Sequence, residues 1–496
     1  MSLRNFKIVG KRVPRKDAIS KVTGRAVYNS DLALPGLLYA RILRSPYAHA
    51  RVVRVDTRDA EKMRGVRAVL THDGCPKTRF NSKWKRTEDR GFSPGDQYVI
   101  EEEVRYVGDG VAAVAAETPG IAADALKLIR VEYEELPAVF DPEEALKPGS
   151  PKVHSGGNLA KHVELSLGDV EKGFREADRI HEGKYKTPRQ QHATMETHGS
   201  TAQFDPVSGK LTVWTSTQSV FGVRFVLSTA LGIPEDKIRV MQTCVGGGFG
   251  GKDDVFDEPL VALLSEKAGG APVRIQYSRE EDMMASRVRH PTAIYLRTGV
   301  KKDGSLTARQ ATAYYDTGAY CSAGNIVTVV AGAGWLRYYD CANARYDGYC
   351  VYTNTPTSGA FRGFGQPQNN FATEVQMDEI AEEIGIDPLE LRLKNAIGPG
   401  DLGHGMTYRL ESAANRECMT IGAQMIGWKK KRGAGGLRGV GMGQCIKATG
   451  IRPTPDKSTV RIHANRDGTF TLLAGGCEIG QGLVTVLAQI VAEEKV

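Results

Sequence analysis

The residues best placed to do chemistry lie in a run of glycines, Val245-Gly246-Gly247-Gly248-Phe249-Gly250-Gly251-Lys252-Asp253. The run follows Ile238 to Met241, which reads as a strand. Gly246, Gly248 and Gly251 satisfy G-x-G-x-x-G, and Gly246 to Lys252 satisfy the first seven positions of a P-loop, so a nucleotide phosphate is the first ligand to weigh. Both fits are incomplete. A P-loop carries a Ser or Thr hydroxyl after its lysine, but here Asp253 and Asp254 follow, and two carboxylates repel a triphosphate. A dinucleotide loop belongs to an early βαβ unit, whereas this one lies deep in the chain with Pro259 close behind. What remains is a row of backbone N–H groups free of side chains, a nest suited to an anionic or oxo-type ligand, with a plain turn as the ligand-free alternative.

Two further segments have the same character. Thr355 to Gln368 holds Gly359, Gly363 and Gly365 around Phe361, Arg362 and Phe364. A forked guanidinium suits an oxyanion and an aromatic beside glycines can stack on a flat ligand; a structural turn with Arg362 in a salt bridge is the alternative. Gly475-Gly476-Cys477-Glu478-Ile479-Gly480-Gln481-Gly482 opens a helix that runs from about Leu483 to the end. A helix N-terminus favours an anion, and Gln481 can both donate and accept there.

The elements that must carry these loops are mixed. Leu38 to Leu43, Val111 to Ala116 and Val131 to Tyr133 read as strands, and Ile121 to Ile129 as a helix. Phe140 to Asn158, rich in proline, glycine and acid, reads as an interdomain linker. Thr201 to Phe204 and Leu211 to Ser216 flank the turn Asp205 to Gly209. Helices are expected over Val220 to Leu231 (stopped by Gly232), Pro259 to Lys267 (stopped by Gly269-Gly270) and Ala372 to Ile384 (stopped by Gly385), with another opened by Asp387-Pro388. The glycine-rich run Gly433 to Gly443 marks a subdomain boundary, and strands Val460 to Ala464 and Phe470 to Leu473 flank Asp467-Gly468. The fold class is α+β (mixed α/β) rather than a regular doubly wound array.

The bulk composition narrows the function class. With 496 residues, 41% apolar and 25% charged, the chain has room for two or three domains with sizeable cores and is not disordered. The net charge of +8 is spread out; its densest point, Lys429 to Arg432, reads as a solvated loop rather than a nucleic-acid patch. No apolar run is long enough for a membrane span, and Met1 to Arg15 lacks the apolar segment of a secretory signal. The eight cysteines form no C-x-x-C pair, which argues against a zinc site, an iron–sulfur cluster or a disulfide scaffold in this chain and makes the cytoplasm the default compartment.

Taken together, the three glycine clusters resemble, in order and separation, the molybdopterin-contacting loops of the xanthine dehydrogenase / aldehyde oxidase family. Lys21 to Tyr28, Arg44-Ser45-Pro46-Tyr47-Ala48-His49-Ala50 and Val107 to Ala112 resemble that family's first domain, so the likeness covers nearly the whole chain. It implies a hammerhead-like domain over residues 1–140, a linker over 141–158, a first molybdopterin-binding domain over 159–400 and the start of a second, incomplete one over 401–496. It implies a molybdenum–molybdopterin cofactor (in the cytosine dinucleotide form) that hydroxylates an electron-poor carbon with water as oxygen source. Iron–sulfur clusters and FAD would then sit on partner subunits. By motif, Gln190 matches the glutamine near the metal's oxo ligand and Phe249 the residue whose backbone N–H faces it, with Gly248 and Gly250 permitting close approach. Arg362 and Gln481 match cofactor-bordering residues, and Phe364 an aromatic that packs on the substrate ring. The metal is held by the pterin dithiolene, with no side-chain ligand.

Two departures shape the substrate. Purine-oxidising relatives carry a glutamate where this chain has Asp253 and an arginine near Val330, where Ile326 to Val330 is apolar. An N-heterocycle, an aldehyde or an aromatic thioester is then expected instead. The family's glutamate base, in a Gly-Glu-Pro-like setting, has no match here, and Glu493 and Glu494 have the wrong neighbours. A second molybdopterin-binding chain or a further C-terminal part is expected to supply it. A nucleotide-binding enzyme using residues 246–252 and a cofactor-free scaffold relative stay open as alternatives.

Overall fold

The computed structural model describes residues 6–83, 94–402, 409–433, 435–447 and 458–495. Parts of the N-terminal segment 1–15, of the glycine-rich run 433–443 and of the 401–496 region therefore lie outside the described residues.

The continuous apolar strand Gly110–Ala116 is buried on both faces along nearly its whole length and so sits between neighbours: Leu38–Arg44 on one side and Val66–Thr71 on the other, both antiparallel. Leu38–Arg44 then pairs in parallel with Val273–Gln276, Leu38 opposite Val273. The sheet runs on through Gly199–Asp205 and Lys210–Thr215 to Ile238–Gln242, seven strands in all. The first 140 residues and the region beyond 199 are thus two halves of one sheet, a pairing that no local pattern announces. Helices Val220–Leu231 and Glu258–Lys267 cover it, with Leu211, Leu227, Leu260 and Leu264 in the core. A smaller three-stranded sheet, Glu103–Val104, Ala50–Asp56 and Arg130–Glu135, completes the N-terminal region.

A second main sheet has five strands in the order Leu159–Leu167, Ala344–Tyr352, Leu306–Gly318, Thr292–Val300 and Arg179–Thr187. Helices Gly324–Leu336 and Gln366–Ile384 pack on it through Val327, Ala331, Trp335 and Ala372. The apolar run Ile326 to Val330 belongs to the first of these helices. The chain passes from the second sheet to the first after Thr187 and returns before Thr292. The two crossings lie side by side and pair as a short ribbon, Gln190–Gln191 against Val288–Arg289. The first two glycine loops meet beside this ribbon.

The segment expected as a linker, 141–158, is packed rather than free. Val139, Ala145 and Val153 share a buried cluster with Cys321, Val351 and Tyr352. Asn158 ties the rest of the segment to its short helix Pro142–Ala145: its Oδ1 accepts from Val153 N at 2.8 Å, and its Nδ2 donates to Ala145 O at 2.9 Å and Pro151 O at 2.8 Å. Asn158→Ala orphans two buried backbone groups and one part-buried one and should cost about 3 kcal/mol or more, at roughly 1–3 kcal/mol per unmet group, read as a lower denaturant midpoint with native activity retained below it.

The expected elements form with shifted ends. The helix placed from Ala372 begins at Gln366, so the second glycine cluster ends inside its first turn. The basic run Lys429 to Arg432, expected as a loop, is mostly an exposed helical turn, Trp428–Lys431, anchored by buried Trp428. The hairpin Val460–Ala464 with Phe470–Ala474 forms around Asp467-Gly468. The last helix, Leu483–Lys495, clasps the N-terminal segment: the N–H groups of Lys7, Ile8 and Val9 grip the Glu493 carboxylate at 3.0, 2.6 and 2.9 Å. Those bonds hold its pKa below the usual range, so Glu493 is a structural acceptor and not an overlooked base.

Candidate active site at the junction of two glycine loops

The strand Ile238–Gln242 ends at the edge of the first sheet and releases the chain into the glycine loop. Side chains from neighbouring segments fix the loop's backbone. Glu196 accepts from Gly246 N at 2.7 Å, and Gln218 Oε1 accepts from Gly250 N at 2.9 Å. The N–H of Phe249 makes no hydrogen bond among the described residues, while its carbonyl accepts from Arg362 N at 2.8 Å. That single bond ties the first glycine loop to the second. The backbones touch one residue further on, where a Cβ on Gly250 would lie 2.6 Å from Ala360 O. The third loop closes from another side: Gln242 Nε2 donates to Glu478 O at 3.3 Å. Gln481 is turned back on its own loop, accepting from Ile479 N at 2.7 Å and donating to Cys477 O at 2.8 Å.

Backbone strain gathers at the same place. Among the described residues four non-glycines have positive φ: Ala193 (48°), Phe249 (53°), Ser322 (44°) and Phe364 (52°). Phe249 and Phe364 sit in the two loops, Ala193 follows the ribbon, and Ser322 donates to Asp254 just after the first loop. Strain of this kind persists where the surroundings over-determine the backbone, commonly at ligand sites.

Charge is balanced acid by acid. Lys252 Nζ, buried, binds Glu196 at 2.7 Å and Ser216 Oγ at 3.0 Å. Asp253 is ion-paired with Lys83, contributed by the N-terminal region. Asp254 pairs with Arg287 at 2.7 Å, Asp282 with Arg279 at 3.2 Å and His198 at 2.6 Å, and Asp316 with Arg189 at 2.9 Å. Burial opposes ionisation of Asp254, but Arg287 and Lys83 overcome it and leave its pKa below the usual range. Burial also brings buried His192 down to about 4, so at neutral pH its ring donates to only one of the two carbonyls it faces, Arg287 O at 3.1 Å and Ala360 O at 3.0 Å. Two arginines, Arg289 and Arg362, have no carboxylate partner among the described residues.

This arrangement removes the nucleotide reading. A P-loop lysine must reach phosphate oxygens; Lys252 points inward to Glu196, and its side chain is 0% exposed. Asp253, which the resemblance places at the substrate site, is ion-paired with Lys83. The structure brings Gln190, Gly248, Phe249, Gly250 and Arg362 to one junction through the ribbon and the Arg362–Phe249 bond. Phe364 leans on the core of the second sheet beside it. Gln481 lies on the third loop, and its side-chain hydrogen bonds among the described residues stay within that loop. Sequence reading missed Lys83, Glu196, Gln218 and Arg289, each distant in sequence from the glycines it serves; no local motif marks them.

Loops of this build suit an anionic ligand, and comparison with known proteins gives the family. Residues 23–137 match the a/b hammerhead domain of aldehyde oxidase and xanthine dehydrogenase, and residues 153–396 and 422–494 match molybdopterin cofactor-binding domains. The xanthine dehydrogenase molybdenum-binding subunit of Escherichia coli O157:H7 is 38% identical over 97% of this chain and 65% of its own length. The nicotinate dehydrogenase large molybdopterin subunit of Eubacterium barkeri is 38% identical over 79% of this chain and 90% of its own. Quinoline 2-oxidoreductase from Pseudomonas putida 86 superposes with a TM-score of 0.89 at 28% identity, covering 98% of this chain and 65% of that one. The chain belongs to the xanthine dehydrogenase / aldehyde oxidase family, as a hammerhead domain followed by molybdopterin-binding domains. It spans about two thirds of the length of its xanthine dehydrogenase relatives, 65% and 64% in two of them.

Proposed function

We propose that this chain is the molybdopterin-binding subunit of a hydroxylase that oxidises an N-heterocyclic, aldehyde or related aromatic substrate with water as oxygen source. The observation that carries the reading is the free N–H of Phe249, presented at positive φ where two glycine loops meet. A fixed donor held on a rigid loop stabilises negative charge on a ligand without reorganising. The residues fit an anionic cofactor: Gly248 and Gly250 let the loop pack closely against Gln218 and Ala360, which holds its backbone in place, Phe249 N–H and the Gln190 amide supply neutral donors, and Arg362 and Gln481 border it. When bound, the molybdenum centre supplies the two-electron oxidation.

The finer points belong to the same proposal. The cofactor is the cytosine dinucleotide form, and iron–sulfur clusters and FAD ride on partner subunits. A second molybdopterin-binding chain or a further C-terminal part supplies the glutamate base. Relatives named as subunits, including 6-hydroxypseudooxynicotine dehydrogenase complex subunit gamma of Paenarthrobacter nicotinovorans, support an assembly. The functional units are 1–140, 159–400 and 401–496, joined by 141–158. Eight free cysteines suit a reducing cytoplasm, and no helix among the described residues is long and apolar enough to cross a membrane.

Phe364 and Asp253 set substrate choice. In the assembled enzyme Phe364→Ala and Asp253→Asn should shift relative kcat/KM among heterocycles and aldehydes by roughly tenfold, the scale of a lost pocket contact, while molybdenum per chain stays near wild type. Asp253→Asn acts by releasing Lys83 and should favour anionic substrates. Wild-type complex without molybdenum would end this reading; an equal loss for all substrates that tracks lost metal would assign both residues to the cofactor.

A further inference from the structure

Arg289 stands apart from the other charged groups at the site. It is the ribbon residue opposite Gln190. Its guanidinium lies 4.1 Å over the Phe361 ring. It donates to Arg362 O at 2.7 Å and Gln368 Oε1 at 3.2 Å, both uncharged acceptors. Three of its five N–H groups therefore make no hydrogen bond among the described residues, and none meets a carboxylate. Part burial weakens its hold on the proton, lowering its pKa to about 10. A half-buried cation without a counter-charge is costly to maintain, and here it is kept on a rigid ribbon beside two cofactor-facing loops. The stacking on Phe361 and the two bonds fix the plane of the fork, which presents it for bidentate pairing.

We propose that Arg289 is a specificity-determining anchor that receives an oxyanion of the bound ligand. The oxyanion has two sources, a carboxylate on the substrate or a phosphate on the cofactor. The proposal rests on the reading of the site as a molybdopterin site. An aromatic substrate bearing a carboxylate satisfies the free fork while its ring lies against the neighbouring aromatics. A cofactor phosphate would satisfy it equally and leave substrate choice untouched.

The test compares wild type, Arg289→Gln and Arg289→Lys in the assembled complex, with circular dichroism as a control on folding. Three readouts are taken: molybdenum and pterin per chain, the dissociation constants of pyridine-3-carboxylate and pyridine-3-carboxamide, and calorimetric titration of pyrophosphate and benzoate into the cofactor-free full chain. If the substrate supplies the anion, Arg289→Gln keeps its metal, weakens the carboxylate roughly tenfold or more, as expected for a lost charge-assisted pair, and leaves the carboxamide unchanged. If the cofactor supplies it, molybdenum and pterin fall together, Arg289→Lys restores part of them, and the carboxylate-to-carboxamide ratio holds. In either case wild type binds benzoate or pyrophosphate more tightly than Arg289→Gln. A metal-loaded wild type matched by Arg289→Gln in all three readouts overturns the proposal and leaves the functional reading standing. A metal-free wild type whose anion binding still depends on Arg289 does the reverse.

Discussion

Gly250→Val yields an assembled enzyme with at least tenfold less molybdenum per chain. Gly250 has φ 101°, and a Cβ there would lie 2.6 Å from Ala360 O, 2.8 Å from Ala360 C and 3.0 Å from Phe361 Cα. All three atoms belong to backbone, so no side-chain rotation relieves the clash, and the two loops must part. Parting them breaks the Arg362–Phe249 bond and turns the Phe249 N–H away from the ligand. Strain from a side chain at positive φ adds about 1–3 kcal/mol. Gly232→Val supplies the control: its φ is 69°, but nothing lies within 4 Å of its Cβ. Both variants carry the conformational penalty and only one carries the clash. Metal analysis of the two complexes, with circular dichroism to confirm folding, separates them; equal occupancy would remove the basis for placing the cofactor at this junction.

Lys252→Met lowers stability by about 3–5 kcal/mol, the usual cost of leaving one partner of a buried pair without the other. Glu196 is the partner, and its Oε2 also takes Gly246 N at 2.7 Å and Ser216 Oγ at 2.5 Å. Those two neutral bonds soften the loss without replacing the cation. The charge left behind sits directly under the glycine loop, so cofactor retention should fall with stability. Lys252→Met combined with Glu196→Leu removes both charges and should recover most of the denaturant midpoint, since an apolar pair of similar volume is often neutral. A double variant no better than the single one would show that Lys252 acts through packing rather than charge.

Where hydrophobic period decided the element, the sequence reading was sound. Gly110–Ala116 is apolar throughout and central; Val220–Leu231 ends at Gly232 in the left-handed conformation expected of a glycine cap. All five strands of the second sheet escaped notice, the well-buried Thr292–Val300 and Leu306–Gly318 as well as those dominated by charge. Arg179–Thr187 exposes most of its side chains and carries no apolar stripe, and it holds its place through a full ladder with Thr292–Val300. At the site the glycine clusters were legible as loops, while the roles of Phe249, Arg362 and Phe364 came from the resemblance, and the strained backbone at Phe249 and Phe364 left no mark in the sequence. Asp253 was legible as a position but not in its state, because Lys83 lies 170 residues away. Arg289 was not legible at all: what marks it is a guanidinium stacked on Phe361 and bonded only to uncharged acceptors, which only the folded chain reveals.

The shared seven-stranded sheet bears on how this protein is made. The side chain of Asn29 donates to Ile275 O across 246 residues, and its neighbours on Leu38–Arg44 pair with the same late strand. A ribosome adding roughly 5–20 residues per second needs about 12–50 s to supply that partner. Through that interval the edge of Leu38–Arg44 stays open, a template for wrong pairing. The N-terminal region therefore cannot finish folding as it emerges, and a fragment cut within 141–158 will lack the other half of its own sheet. Expression of residues 1–140 alone should call on chaperones that the full chain needs only briefly, and the glycine loop is ready for its ligand only after both ends of synthesis have met.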